Sequence, residues 1–111
     1  MNELNYASLE ASKRLRDAGI VLKTEVGWYE DSSLGWCLYR VDSCYGKYTP
    51  AAQFAEVWRE LPFQAYVKKM DDGTSMVWVY DDGNCESDFI TNHNPTDALI
   101  DLLIWVRKEA K

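Results

Sequence analysis

The side chains best suited to chemistry in this sequence are one histidine, three cysteines and two pairs of adjacent aspartates. His93 lies in the segment 91–94, directly before a predicted helix. No serine or cysteine motif beside it supplies a nucleophile that the imidazole could activate. We interpret His93 as a surface or helix-capping residue. The sequence therefore predicts no catalytic residue and a protein that is not an enzyme.

The aspartate pairs Asp71-Asp72 and Asp81-Asp82 could offer clustered oxygens to a divalent cation. Each pair is followed by glycine, a combination that is typical of a tight turn. Neither pair shows the alternating ligands of an EF-hand loop. Turn formation is therefore the favoured interpretation, with calcium binding as the alternative, and we expect no metal and no cofactor.

The three cysteines Cys37, Cys44 and Cys85 are odd in number and irregularly spaced. Such a set does not fit a disulfide framework or a zinc site. We expect Cys37 to pack as a small hydrophobic residue, and we place the other two in turns without a redox motif. The isolated glycines form no phosphate-binding loop.

Composition bounds the kind of protein that this chain can be. Its 111 residues are 47% hydrophobic, which suits a single domain over residues 1–111 with one core. The net charge of −6 disfavours nucleic acid, because binding a phosphate backbone depends on lysine and arginine. The first residues lack a secretory signal, and no apolar run is long enough to span a membrane. We expect a cytoplasmic protein.

Three helices are predicted from their ends. The first would begin after Asn5 and close at Gly19 in a Schellman motif that brings Ile20 to Leu15. The third, capped by Asn94, would have a proline in its first position and an acidic first turn.

The second helix has two candidate starts. Thr49 could cap it, with Pro50 as the first helical residue, or the helix could begin at Gln53. Pro62 would end it.

Alternating apolar residues predict strands over 24–30, 35–42, 64–70 and 75–80, with a weaker strand over 86–90. The first two would form one hairpin, and an Asp-Gly turn would join the next two into another. The element order is therefore α-β-β-α-β-β-(β)-α. We expect an α+β fold with one antiparallel sheet of four to five strands and three helices mostly on one face.

The two faces of that sheet are predicted to differ. The face toward the helices would carry Val26, Trp28, Tyr39, Val67, Val77 and Val79. The opposite face would carry aromatic and apolar residues with two cations, namely Trp36, Arg40, Tyr66, Lys68, Met76, Trp78 and Tyr80. An uncovered face of this kind is typical of an interface. The alternative is a strand register one residue different, which would make the same residues core.

Three helical segments together resemble small proteins of no assigned activity that phages and prophages encode, particularly those of gut bacteria. The segments are ASKRLRDAGI at 11–20, AEVWRELP at 55–62 and NPTDALIDLLIWV at 94–106. The resemblance implies a viral or prophage context in a bacterial cytoplasm. It implies no reaction and no catalytic residue.

The sequence thus favours a binding protein of phage or prophage origin that acts through a protein interface. Its partner would be an unidentified protein or a second copy of the chain, and inhibition of a host factor or defence component would be its effect. The alternative is a small-molecule binder that sequesters a nucleotide signal. Aromatic rings would then stack on a base, and Arg40, Lys47 or Lys68 would meet phosphate.

Overall fold

The computed structural model describes residues 6–41, 48–61, 64–81, 84–85 and 89–109, which form three helices and seven strands. The bounds of the helices are α1 Leu9–Asp17, α2 Phe54–Glu60 and α3 Pro95–Glu109. The strands are β1 Val26–Asp31, β2 Gly35–Arg40, β3 Thr49–Ala51, β4 Ala65–Lys69, β5 Ser75–Asp81, β6 Asn84–Cys85 and β7 Ile90–Asn92. The predicted α+β class and its three helices are confirmed.

The strands form two antiparallel sheets, so the prediction of one sheet with four to five strands was wrong. The first sheet has the order β2-β1-β3. In the second sheet, β5 pairs with β4 along one edge and with both β6 and β7 along the other. Strand β3 pairs with the edge of β1 that lies opposite β2.

The segment before α2 is a strand, so the helix takes the later of its two candidate starts. Thr49 lies opposite Trp28 in β1, and pairing with β1 keeps Thr49–Ala51 extended. Gln53 is the N-cap of α2, and its backbone N–H donates to Glu56 Oε1 at 2.7 Å. Helix α2 ends at Glu60, and Pro62 lies outside the described residues.

The C-terminus of α1 confirms the predicted Schellman motif. Gly19 adopts a left-handed φ of +77° and its N–H donates to the Arg16 carbonyl at 2.9 Å. The Ile20 N–H donates to the Leu15 carbonyl at 3.2 Å, and both of these side chains are buried.

The N-terminus of α1 lies later in the chain than predicted. Ser8 is the N-cap and its Oγ accepts from the Ala11 N–H at 3.1 Å, whereas Asn5 lies outside the described residues. Tertiary pairing accounts for the shift. The Ala7 N–H donates to the Ala52 carbonyl at 2.8 Å, which holds the preceding segment extended.

Helix α3 begins as predicted. Asn94 Oδ1 accepts from the N–H groups of Thr96, at 2.9 Å, and Asp97, at 3.3 Å. The same turn also fixes the start of α1. Asp97 Oδ1 accepts from the Ser8 N–H at 2.8 Å, and Asn94 Nδ2 donates to the Tyr6 carbonyl at 3.0 Å. The N-termini of two helices distant in sequence are therefore capped together.

The main core lies between the three helices and the inner face of the second sheet. Helix α3 contributes its centre, where Leu99, Leu102 and Leu103 are fully buried. A smaller cluster under the first sheet contains Val26, Trp28 and Ala51. These clusters lie against the inner faces of the two sheets.

Candidate functional site

The second sheet presents an aromatic outer face. Tyr66 pairs with Trp78 and Lys68 pairs with Met76, so these four residues share one face. Val77 and Val79, on the other face, are buried in the core, which confirms their predicted orientation toward the helices. We call the outer surface the aromatic face; it consists of Tyr66, Lys68, Met76, Trp78 and Phe89.

The rings of the aromatic face form a continuous row. Tyr66 stacks on Trp78 with ring centroids 5.7 Å apart and planes 15° apart. Phe89 meets the other side of Trp78 edge-on, with centroids 5.6 Å apart and planes 66° apart. Tyr66 is 46% exposed and Phe89 is 55% exposed. The row therefore combines fixed ring geometry with access from solvent.

Phe89 was missed by the sequence reasoning. Its only signal was the weak strand prediction over 86–90, which did not assign its side chain to a face. Residues 86–88 lie outside the described residues, and the structure has β7 at Ile90–Asn92, paired with the start of β5. Phe89 precedes that strand directly and so reaches the ring of Trp78.

Trp36 and Arg40 do not join the aromatic face. The sequence predicted them on the other face of the sheet from Val26 and Trp28, and this assignment was wrong. They lie on β2 in the first sheet, where Val26 pairs with Arg40 and Glu30 with Trp36. Because Asp31 lies opposite Gly35, even-numbered residues of both strands share a face. Trp36 therefore points toward α1.

A contact with α1 agrees with this register. Lys13 Nζ lies 5.2 Å from the centroid of the Trp36 ring. Of the seven predicted interface residues, Tyr66, Lys68, Met76 and Trp78 are brought together. Tyr80 lies on β5, where its backbone pairs with Cys85.

The outer face of the first sheet carries a second aromatic cluster. Tyr29 and Tyr39 meet edge-on with centroids 6.0 Å apart. The Tyr48 ring lies against Gly27, where a Cβ would come within 2.6 Å of Tyr48 Cδ2. Burial raises the pKa of the Tyr39 phenol, and the neighbouring Cys37 and Asp31 raise it further. Tyr39 thus faces away from the side to which the sequence assigned it.

Asp72 stabilises the turn of the second hairpin. Asp72 Oδ1 accepts from the Thr74 N–H at 3.0 Å and from Thr74 Oγ1 at 2.6 Å, and Gly73 has a φ of +89°. These hydrogen bonds to its charged form lower the pKa of the Asp72 carboxyl. Asp81 belongs to β5, and Asp82 lies outside the described residues. Within the described ranges, no group of three or more histidine, cysteine or acidic residues could hold a metal ion.

The remaining reactive residues are dispersed. His93 is exposed between β7 and α3, in a segment where Asn92 Oδ1 accepts from the Asn94 N–H at 2.9 Å. Cys37 is a partly buried free cysteine on β2. Cys85 lies in β6, and Cys44 lies outside the described residues.

A groove of about 410 Å³ lies between the segment 21–25 and α2. Its walls mix charges of both signs, with Lys23 and Arg59 beside Glu25, Glu56 and Glu60. Because charges of both signs line the groove, they favour neither an anionic nor a cationic ligand. The aromatic face is therefore the stronger candidate site.

No described helix is long and apolar enough to cross a membrane. Comparison of the chain with protein-family models, with curated proteins and with solved structures finds no match. The candidate site therefore depends on geometry and chemistry alone.

Proposed function

We propose that this chain is a non-enzymatic accessory protein of phage or prophage origin that binds another protein through the aromatic face. The observation that carries the proposal is the row of three rings in which Tyr66 and Phe89 are exposed and the half-buried Trp78 lies between them. Binding would inhibit the partner, which would be a host factor or a defence component. The phage context comes from the sequence resemblance of the three helices.

The physical support lies in what such a row can offer a partner. Aromatic side chains give a large contact area at low entropic cost, and they are enriched in interfaces. Here the stacking of Tyr66 on Trp78 restricts both rings before binding. Met76 adds an adaptable apolar side chain, and Lys68 adds a charged rim.

The nucleotide-binding alternative has less support. Arg40, one of the expected phosphate ligands, lies in the other sheet, and Lys47 lies outside the described residues. Of the two expected phosphate ligands within the described residues, only Lys68 lies on the aromatic face.

The proposal is tested by comparing the proteins that tagged wild type and variants retain from a bacterial host lysate, using quantitative mass spectrometry. The test variant is Tyr66→Ala with Phe89→Ala. The matched control is Leu34→Ala, because Leu34 is 72% exposed in the first hairpin turn, away from the aromatic face. Circular dichroism and thermal melting establish that each variant folds.

We expect wild type and the Leu34 variant to retain a partner that the double variant loses. A partner retained equally by all three proteins would contradict the proposal.

A further inference from the structure

Strand β4 forms an edge of the second sheet, next to the aromatic face. Among the described residues it pairs with β5 alone. The four residues from Tyr66 to Lys69 are exposed. An edge strand with unpaired backbone groups can accept an added strand from another chain.

The hairpin turn shows which backbone groups of β4 face outward. The Met70 N–H donates to the Thr74 carbonyl at 2.8 Å, so this pair is a hydrogen-bonded pair of the ladder. Such pairs alternate along antiparallel strands. Lys68 and Tyr66 therefore direct their backbone groups toward β5. Val67 and Lys69 direct theirs away from β5, toward the edge at which no described strand pairs with β4.

The charge of this edge differs from that of the whole chain. Five residues of β4 carry two positive charges, Lys68 and Lys69, and no negative charge, whereas the net charge of the protein is −6. Both lysines are exposed, and the alternation of the strand puts them on opposite faces. A strand placed beside β4 would meet one lysine on each face.

This charge pattern indicates which kind of strand would bind beside β4. A second copy of the chain pairing through β4 would bring four lysines to one seam, and lysine on an edge strand is a known barrier to such self-association. An acidic strand would meet opposite charges instead. Strand β2 is also an edge, but Arg40 is its only charged residue.

We propose that β4 binds an extended acidic segment of the partner protein. This segment adds to the sheet as a strand antiparallel to β4. This inference rests on the proposed function and names the chemistry of the partner. The segment would place two consecutive acidic residues opposite Lys69 and Lys68. An apolar residue opposite Val67 would follow, and then a residue that contacts the Tyr66 ring.

In the test, a displayed library of random ten-residue peptides is selected for binding to the purified full chain. We expect enriched peptides to carry two adjacent acidic residues followed by apolar residues. The double variant Lys68→Glu with Lys69→Glu should enrich basic residues at the same two positions. Val67→Pro removes an outward N–H and should weaken a selected peptide by at least about tenfold in fluorescence anisotropy, a change of about 1.4 kcal/mol.

Val67→Ile is the matched control, because it keeps both the backbone donor and an apolar β-branched side chain, and it should bind the selected peptide like wild type. If the proline variant fails to melt cooperatively, the charge-reversal variant decides the question. Absence of enrichment, enrichment without acidic pairs, or binding that survives both Val67→Pro and charge reversal would overturn the inference. So would a dimer in sedimentation that Val67→Pro converts to a monomer, because the edge would then hold a second copy.

The outcome is separable from that of the proposed function. A lysate partner that is lost by Tyr66→Ala with Phe89→Ala, but kept by Val67→Pro and charge reversal, would support the aromatic face and reject the edge. A partner that is kept by all these variants would reject both.

Discussion

Trp28 shows at the residue scale how one side chain fixes two elements. Its ring belongs to the small cluster under the first sheet, and its Nε1–H donates to the Ala7 carbonyl at 2.8 Å. Ala7 is fully buried, so this carbonyl depends on Trp28 for a donor there. The hydrogen bond ties β1 to the residues just before α1.

Trp28→Phe should therefore lower the free energy of unfolding by about 1–3 kcal/mol, because it leaves a buried acceptor without its donor and trims the cluster. Urea denaturation measures the change. Trp58→Phe is the matched control, since Trp58 is 40% exposed on α2, and it should change stability less. Equal losses for the two variants would contradict this role of Trp28.

Asp72 gives a prediction about pH. Hydrogen bonds from Thr74 hold its folded pKa below the ordinary value of 3.8. A carboxyl with a depressed folded pKa stabilises the fold above its unfolded pKa, and this contribution is lost as the pH falls through the folded value. Asp72→Ala should therefore lower the Tm at neutral pH, and the difference from wild type should shrink below pH 3.8.

Asp71→Ala is the control, because Asp71 makes no side-chain hydrogen bond with a described residue. It should affect the Tm less. A Tm difference for Asp72→Ala that stays constant from neutral to acidic pH would contradict the account.

At the scale of elements, the sequence predicted what local chemistry determines. The Schellman end of α1, the Asn94 cap of α3 and the orientation of Val77 and Val79 follow from residues close in sequence. The misassigned parts depend on distant pairing. Thr49–Ala51 has a helix-start signal, yet pairing with β1 makes it a strand.

The assignment of side chains to the two faces of the first hairpin shows the same limit. The alternation of side chains between the two faces of each strand was predicted correctly. The relative register of β1 and β2, however, depends on the pairing of Asp31 with Gly35. That pairing moved Tyr39 to the outer face and Trp36 and Arg40 to the inner face. In the candidate site, Tyr66, Lys68, Met76 and Trp78 were predictable because the Asp-Gly turn fixed their register.

Gly27 tests the packing of β1 against the segment that leads into β3. Gly27→Ala should destabilise the protein by about 1–3 kcal/mol, because the added Cβ would lie 2.6 Å from Tyr48 Cδ2. In a Tyr48→Ala background the same substitution should cost less, since the ring is gone. A double-mutant cycle in urea measures the coupling. Equal costs in both backgrounds would contradict the packing argument.

At the scale of the whole molecule, helix α3 near the end of the chain contacts helix α1 near its beginning. Asp97 accepts from the Ser8 N–H, and Asp101 pairs with Arg14 at 3.0 Å, so two carboxylates of α3 reach α1. Their surroundings differ, because Asp97 is buried and the ion pair of Asp101 is partly exposed. Burial should make the first contact much more important.

Asp97→Ala should therefore lower the free energy of unfolding by about 1–3 kcal/mol, because the partly buried Ser8 N–H loses its acceptor. Asp101→Ala is matched to it in residue type, helix and partner helix, and should cost less than about 1 kcal/mol. Chemical denaturation compares them. A larger loss for Asp101→Ala than for Asp97→Ala would contradict the shared capping of α1 and α3.

The proposed function depends on the aromatic face, so the dissociation constant for a partner captured from the lysate is the most direct measurement. Isothermal titration calorimetry compares wild type, Tyr66→Ala with Phe89→Ala, and Leu34→Ala. We predict that the double variant binds at least about tenfold more weakly, because exposed aromatic anchors dominate interfaces, and that Leu34→Ala binds like wild type. Equal dissociation constants for all three folded proteins would contradict the account.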